Sequence, residues 1–406
     1  QAGSKRTRHP PRAPPRSEEA RFFVGKMPSA DDKFRKRASV MFGRPSQKVA
    51  LKQKAAGPCS CLSGCFGMLM GFPAPPAASS HEALAPKPLE PLVPCIPWAD
   101  LSAERRVGVA HVEVGSGAKE GSPGWVNQDA TAACVAQGNG ELGGDLAAGS
   151  KNDSALFFCV FDGHGRAGHE VAAICSDRLP AHLAAVSGGP LSAPQKAIEA
   201  AFRKTDSDIY QALGGRVEYA GSTGVAVVMD PVKRVLHVGN VGDSRAVLGT
   251  HSTKDASGWQ AVALTSDLKP DLPAEQERIE LSGGVVMALQ GDNGEDVGPM
   301  RVWDSAARDR PGLAVSRSLG DGAARALGVI AEPVITVHQL RPEDRFMLIA
   351  TDGLWDSLGN DQAVRIAATY IERNLQHVAV KALLETVRRE EGGQLVDDTT
   401  VILVTF

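Results

Sequence analysis

Four acidic residues stand at the ends of apolar runs, where packing alone has no use for charge. "LFFCVFDGHG" closes on Asp162, Gly163 and His164; "LIATDGLWD" closes on Asp352; "LVDDTTVILVTF" places Asp397 and Asp398 just ahead of a third apolar run. Asp129 in "VNQDA" and Asp243 in "VGDSRAVL" are further candidates for the same group. Carboxylates that converge repel strongly, and so call for cations between them. Oxygen ligands without thiolate suit hard ions such as Mg²⁺ or Mn²⁺ rather than structural zinc. Gly163 has no Cβ, which lets its backbone carbonyl approach an ion. Two such ions sharing a bridging water would supply hydroxide at neutral pH and clamp a phosphoryl group for in-line displacement. His164 suits proton donation to the leaving oxygen, because imidazole titrates near physiological pH. A single Asp-Gly pair is most often a turn; the signal lies in the set.

These residues need strands to carry them. From Arg105 onward the sequence alternates short apolar runs with Gly-rich turns: "VGVAHVEV", "ALFFCVFD", "TGVAVVMD", "RVLHVGNVGDSRAVLGT", "WQAVALT", "GGVVMAL", "RFMLIATDG" and "TTVILVTF". Between them, apolar residues at three- and four-residue spacing predict helices over 168–186, 194–213, 361–374 and 378–390. The Asp230-Pro231 turn inside "VVMDPVKRVLHVG" predicts an antiparallel hairpin rather than a βαβ crossover. The expectation is an α+β fold, with sheets packed together and helices outside.

Composition divides the chain of 406 residues, whose net charge is only −3. Residues 1–54 hold fifteen Lys and Arg against four Asp and Glu, a balance of +11 that leaves −14 on the remainder. Residues 1–103 are basic and Pro-rich ("KRTRHPPRAPPR", "FPAPPAASS") with few periodic apolar positions, which is too little to offset chain entropy without a partner. They are expected to form an extended N-terminal arm docked on a protein scaffold or large assembly; missing aromatic interleaving argues against nucleic acid. Cys59, Cys61 and Cys65 beside "FGMLMGF" leave two readings open, lipid anchoring next to a polybasic stretch or burial in a partner groove. Ser39 in "RKRASV" is a candidate phosphorylation site for basophilic kinases. Seven cysteines without a paired framework fit a reducing compartment, cytoplasmic or on a cytoskeletal assembly. No apolar stretch reaches the roughly 20 residues of a spanning helix.

The ordered series "VNQDA", "VFDGHG", "GSTGVAVVM", "VGDSRAVL", "LKPDLPAEQERIELSGGVV", "GLAVSRSLGD", "IATDGLWD" and "DDTTVILV" resembles the metal-dependent protein serine/threonine phosphatases of type 2C. The resemblance implies a catalytic domain over 104–406: two packed antiparallel sheets flanked by helix pairs, a four-layer αββα sandwich. It also implies two Mg²⁺ or Mn²⁺ ions and a weaker third. By motif, Asp162 resembles the bridging carboxylate, Gly163 a carbonyl ligand, Asp352 and Asp397 the other ligands of the first ion. Asp129 and Gln128 resemble outer groups of the second ion, Asp243 and Asp356 ligands of the third, and His164 the general acid. Asp398 is read as a neighbour. The resemblance implies phosphoprotein substrates. One departure stands out: "SPGWVNQD" has Gly124 and Trp125 where relatives often carry an arginine or lysine that holds phosphate. Arg166 is the nearest basic substitute in sequence, and the departure keeps a weakly active or inactive scaffold-bound pseudophosphatase open as the rival. Residues 267–310 correspond to the family's flap, with Glu275, Arg278 and the loop "QGDNGEDVGPMRVWDS", whose Asp292, Glu295 and Asp296 form an acidic patch.

Overall fold

The computed structural model describes residues 110–117, 126–136, 142–143, 154–253, 258–305 and 307–406. All lie in the second of two units into which the chain divides, residues 78–406. The arm over 1–103, Ser39, the three clustered cysteines and Gly124–Trp125 fall outside the described residues.

The first half of the described chain runs through β1 (Ala110–Gly115), β2 (Asp129–Ala136), β3 (Leu142–Gly143), β4 (Ala155–Gly165), α1 (Gly168–Ala184), α2 (Pro194–Leu213), β5 (Ala220–Ser222), β6 (Gly224–Asp230), β7 (Val235–Val241), β8 (Arg245–His251) and β9 (Trp259–Ala263). There follow α3 (Pro273–Leu281), β10 (Val285–Gln290), β11 (Asp296–Trp303), β12 (Pro311–Leu313), β13 (Leu319–Gly320), α4 (Gly322–Arg325), β14 (Val334–Gln339), β15 (Asp344–Ala350), α5 (Asp352–Trp355), α6 (Asn360–Ile371), α7 (Gln376–Glu390) and β16 (Thr399–Thr405).

Every pairing between the described strands is antiparallel. A five-stranded sheet has the order β1-β16-β15-β8-β9, and an eight-stranded sheet the order β13-β5-β4-β6-β7-β14 with β2 and β3 attached through β4. The central strands read as unbroken apolar runs because both of their faces are covered. Along β4, Leu156, Phe158 and Val160 point into the core between the sheets, where they meet Met347 and Ile349 of β15 and Ile402 of β16. The alternate residues Phe157, Cys159 and Phe161 pack outward against α1 and α2, with Val171, Leu179, Ile198 and Phe202. On the far side, Phe346, Leu348 and Leu403 meet Val364, Leu383 and Val387 of α6 and α7. Helices therefore cover both outer faces, giving the expected four layers.

Local chemistry sets the connections. The β6–β7 hairpin pairs Asp230 with Val235, and Asp230 Oδ1 accepts the backbone N–H groups of Val232 and Lys233, tightening the turn read from Asp-Pro. Helix α2 begins at Pro194, whose missing N–H costs nothing there, and stops at Gly214 with φ 54°. The flap differs from the sequence reading. The segment 290–305, expected as a loop, is largely strand: β10 and β11 form a hairpin that β12 extends to three strands. Only its tip is a turn, closed by the bond from Gly291 N to Glu295 O.

Candidate active site

The carboxylates are assembled at one end of the sandwich from four separate elements. Asp129 opens β2 and lies directly opposite Asp162 of β4 in the register. Immediately beyond, β4 leaves β6 and pairs with β5, so that Gly163 faces Ser222 and His164 faces Gly221. Asp352 begins α5 two residues after β15 ends, and Asp397 stands two residues before β16. Strands β15 and β16 are neighbours, which brings these two together.

The electrostatics show how close the gathering is. Burial raises the Asp162 carboxyl well above its ordinary range, and repulsion from Asp352, Asp129, Asp397 and Asp243 adds to the rise. Asp352 is raised by burial and by Asp243 and Asp397, and shares a hydrogen bond with Asp162. Asp129 is pushed up to about 7, by burial first and then by Asp398 and Asp397, against the lowering effect of the Thr400 and Thr351 side chains. Among the described residues no three His, Cys, Asp or Glu side chains surround one point closely enough to make a finished ion cage. Asp129, Asp162 and Asp352 belong to a looser acidic group in which neighbouring carboxylates add to the effect of burial.

That group fits hard divalent cations. The side-chain atoms it could offer a cation are carboxylate oxygens, with no sulfur among them. Asp129 Oδ2 accepts from Thr351 Oγ1 at 3.0 Å, whereas its buried Oδ1 has no hydrogen-bond partner. Gly163 sits in a crowded turn: a Cβ there would lie 2.4 Å from Gly168 O and 2.6 Å from Gln128 O. Glycine is the only residue whose backbone can enter this gap.

Two acids behave differently from the rest. Asp398 is a brace, accepting from Gly117 N at 2.8 Å and Gln128 N at 3.0 Å, in keeping with its reading as a neighbour. Asp243 already has a cation, since its Oδ2 is paired with the Lys269 ammonium. Lys269 lies in the quoted "LKPD" stretch, yet nothing in the sequence tied it to Asp243. The Gln128 side chain is bound to the backbone, its Nε2 donating to Gly165 O at 2.8 Å. Arg166 and Asp356 are exposed.

His164 has a partner that sequence reasoning missed. Its Nε2 is 2.7 Å from Asp321 Oδ2, a side chain only 6% exposed. Burial alone would lower the imidazole pKa, but Asp321 and then Asp243 and Asp352 raise it overall. Glu275 ties the flap to the body: Oε2 accepts from Arg278 and from Ser316 Oγ at 2.6 Å, and Oε1 accepts from Arg317 at 2.7 Å.

An antiparallel αββα sandwich with acids at the strand ends defines a class, and comparison agrees. Residues 132–392 match the family model described as Protein phosphatase 2C, so the chain belongs to the protein phosphatase 2C family. It is 43% identical over 178 residues to probable protein phosphatase 2C 48 of Oryza sativa subsp. japonica, covering 42% of this chain and 48% of that protein. It is 39% identical over 212 residues to probable protein phosphatase 2C 72 of Arabidopsis thaliana, covering 51% and 60%. The chain thus spans about half the length of the curated relatives it matches. The fold is similar to a serine-threonine phosphatase 2C from Toxoplasma gondii, with a TM-score of 0.57 at 24% identity over 73% of this chain and 94% of that one. A C. elegans sex determining protein shares it too, with a TM-score of 0.55 at 19% identity, over 73% of this chain and 64% of that one. At these identities the two structures speak for the fold. Among the described residues no helix is long and apolar enough to cross a membrane.

Proposed function

We propose that this protein is a metal-dependent phosphatase acting on phosphoserine and phosphothreonine in proteins, with residues 104–406 as its catalytic unit. The observation that carries the reading is geometric: Asp129 lies opposite Asp162 in the β2–β4 register, Asp352 and Asp397 stand at the ends of the paired strands β15 and β16, and His164 follows Asp162 by two residues. Asp162, Asp352, Asp397 and the Gly163 carbonyl would hold Mg²⁺ or Mn²⁺, with Asp129 toward a second ion and Asp243 toward a weaker third. Bound there, such ions supply Lewis acidity, lowering the pKa of water and offsetting charge on the phosphoryl group. The chain's own part is to hold the carboxylates on rigid strand ends, keep Gly163 open for close approach, and present the His164 proton to the leaving oxygen. Arg166, exposed just beyond the His164 turn, is assigned to the substrate phosphate in place of the basic residue absent at Gly124–Trp125. Residues 1–103 are assigned to docking on a protein scaffold.

The test is hydrolysis of p-nitrophenyl phosphate and a phosphothreonine peptide with Mn²⁺, wild type against Asp162→Ala. We expect the variant to lose at least about 10²-fold in kcat, as removal of an essential electrostatic group does. Equal background rates would support the rival that Gly124–Trp125 raises, a scaffold-bound pseudophosphatase.

A further inference from the structure

The geometry points to Asp321 as the positioning residue for His164: it grips the imidazole by Nε2, leaving Nδ1 as the atom that delivers a proton to the leaving oxygen. This rests on the phosphatase reading above. Three strands build the contact. Strand β5 lies between β4 and β13, so Gly221 stands opposite His164 on one side and Gly320 on the other. Asp321 follows Gly320 directly and is bent back by a left-handed backbone, φ 53°, pinned by its N–H to Ala220 O at 2.9 Å. A non-glycine residue holds that conformation at a cost, and a surrounding structure must impose it. Gly221 completes the slot: a Cβ there would lie 2.1 Å from Asp321 Oδ2 and 2.8 Å from His164 Nε2. The missing side chain at 221 is what lets acid and imidazole meet at 2.7 Å.

With Nε2–H donated to Asp321, the ring cannot rotate freely and its second nitrogen has a fixed direction. In the reaction, the P–O bond to the serine or threonine oxygen breaks, its electron pair stays on that oxygen, and the oxygen takes the Nδ1 proton. A water oxygen forms the new bond to phosphorus and releases a proton to solvent, from which Nδ1 is later reprotonated. The imidazole keeps its Nε2–H on Asp321 throughout.

The experiment compares Asp321→Gly, Gly221→Ala and Asp321→Asn on two esters. Glycine at 321 adopts the left-handed backbone without strain, and alanine at 221 breaks the same contact from the other side. A phosphothreonine peptide has a poor leaving group and needs the proton, whereas p-nitrophenyl phosphate scarcely does. In Asp321→Gly and Gly221→Ala we expect kcat on the peptide to fall about 10²-fold with KM nearly unchanged, and kcat on p-nitrophenyl phosphate to fall about threefold or less. Asp321→Asn, whose amide oxygen still accepts from Nε2–H, should recover part of the peptide rate. Parallel changes on both esters in Asp321→Gly and Gly221→Ala would overturn the positioning role while leaving the phosphatase reading intact. A wild type inert toward both would overturn that reading and this one with it.

Discussion

Adjacent aspartates in "VDDTT" do opposite jobs. Asp397 is exposed and adds to the repulsion felt by Asp162, while buried Asp398 spends both oxygens on backbone N–H groups. Asp398→Ala should therefore cost about 1–3 kcal/mol of stability, the penalty of orphaning buried donors, and lower Mn²⁺ affinity far less than Asp162→Ala does. Denaturant titration and calorimetric Mn²⁺ binding separate the two effects. Gly163→Ala tests the crowded turn: with backbone oxygens 2.4 and 2.6 Å from the new methyl group, we expect about 1–3 kcal/mol of destabilisation in thermal unfolding. The acids were legible in the sequence because a charge that terminates an apolar run violates the pattern around it. Asp321 and Lys269 were not, since their partners are 157 and 26 residues distant and only strand pairing brings them together.

The flap is fastened to the sandwich by a buried carboxylate. Burial by itself would raise the Glu275 pKa, but hydrogen bonds from Arg317, Arg278 and Ser316 outweigh it and bring the value from 4.5 down to about 2. A depressed carboxyl stabilises the fold fully above its unfolded pKa, and the contribution fades as pH falls through the folded one. Glu275→Gln should thus lose on the order of 3 kcal/mol at pH 7 and far less near pH 2. Urea unfolding at the two pH values measures this; an equal loss at both would contradict it. At this scale the helices were the most readable elements: the spacing predicts 194–213, and α2 is Pro194–Leu213. Strand β11 was hidden because six of its eight residues escape full burial, so "DVGPMRVW" carries no clear alternation of apolar and polar.

The whole molecule is held by the core between the sheets. Phe158 is fully buried there, and Phe158→Ala should cost about 3–5 kcal/mol, read from denaturant midpoints. The acid end works against that core, because clustered carboxylates repel in the absence of positive charge. Saturating Mn²⁺ should consequently raise the melting temperature, as any ligand of the native state does, and EDTA should reverse the rise; Asp162→Ala should show neither response. Layering was visible from central strands apolar on both faces, whereas the partition into two sheets depends on register, which periodicity does not encode.

Strand β16 lies between β1 and β15, and its flanking Asp398 reaches back to Gly117 and Gln128. A ribosome must therefore emit the chain through β16 before the five-stranded layer can close. Until then the nascent protein holds Asp162 and His164 without Asp397. A premature stop codon ahead of residue 397 would leave a product lacking both the last acid and the strand that locks the layer.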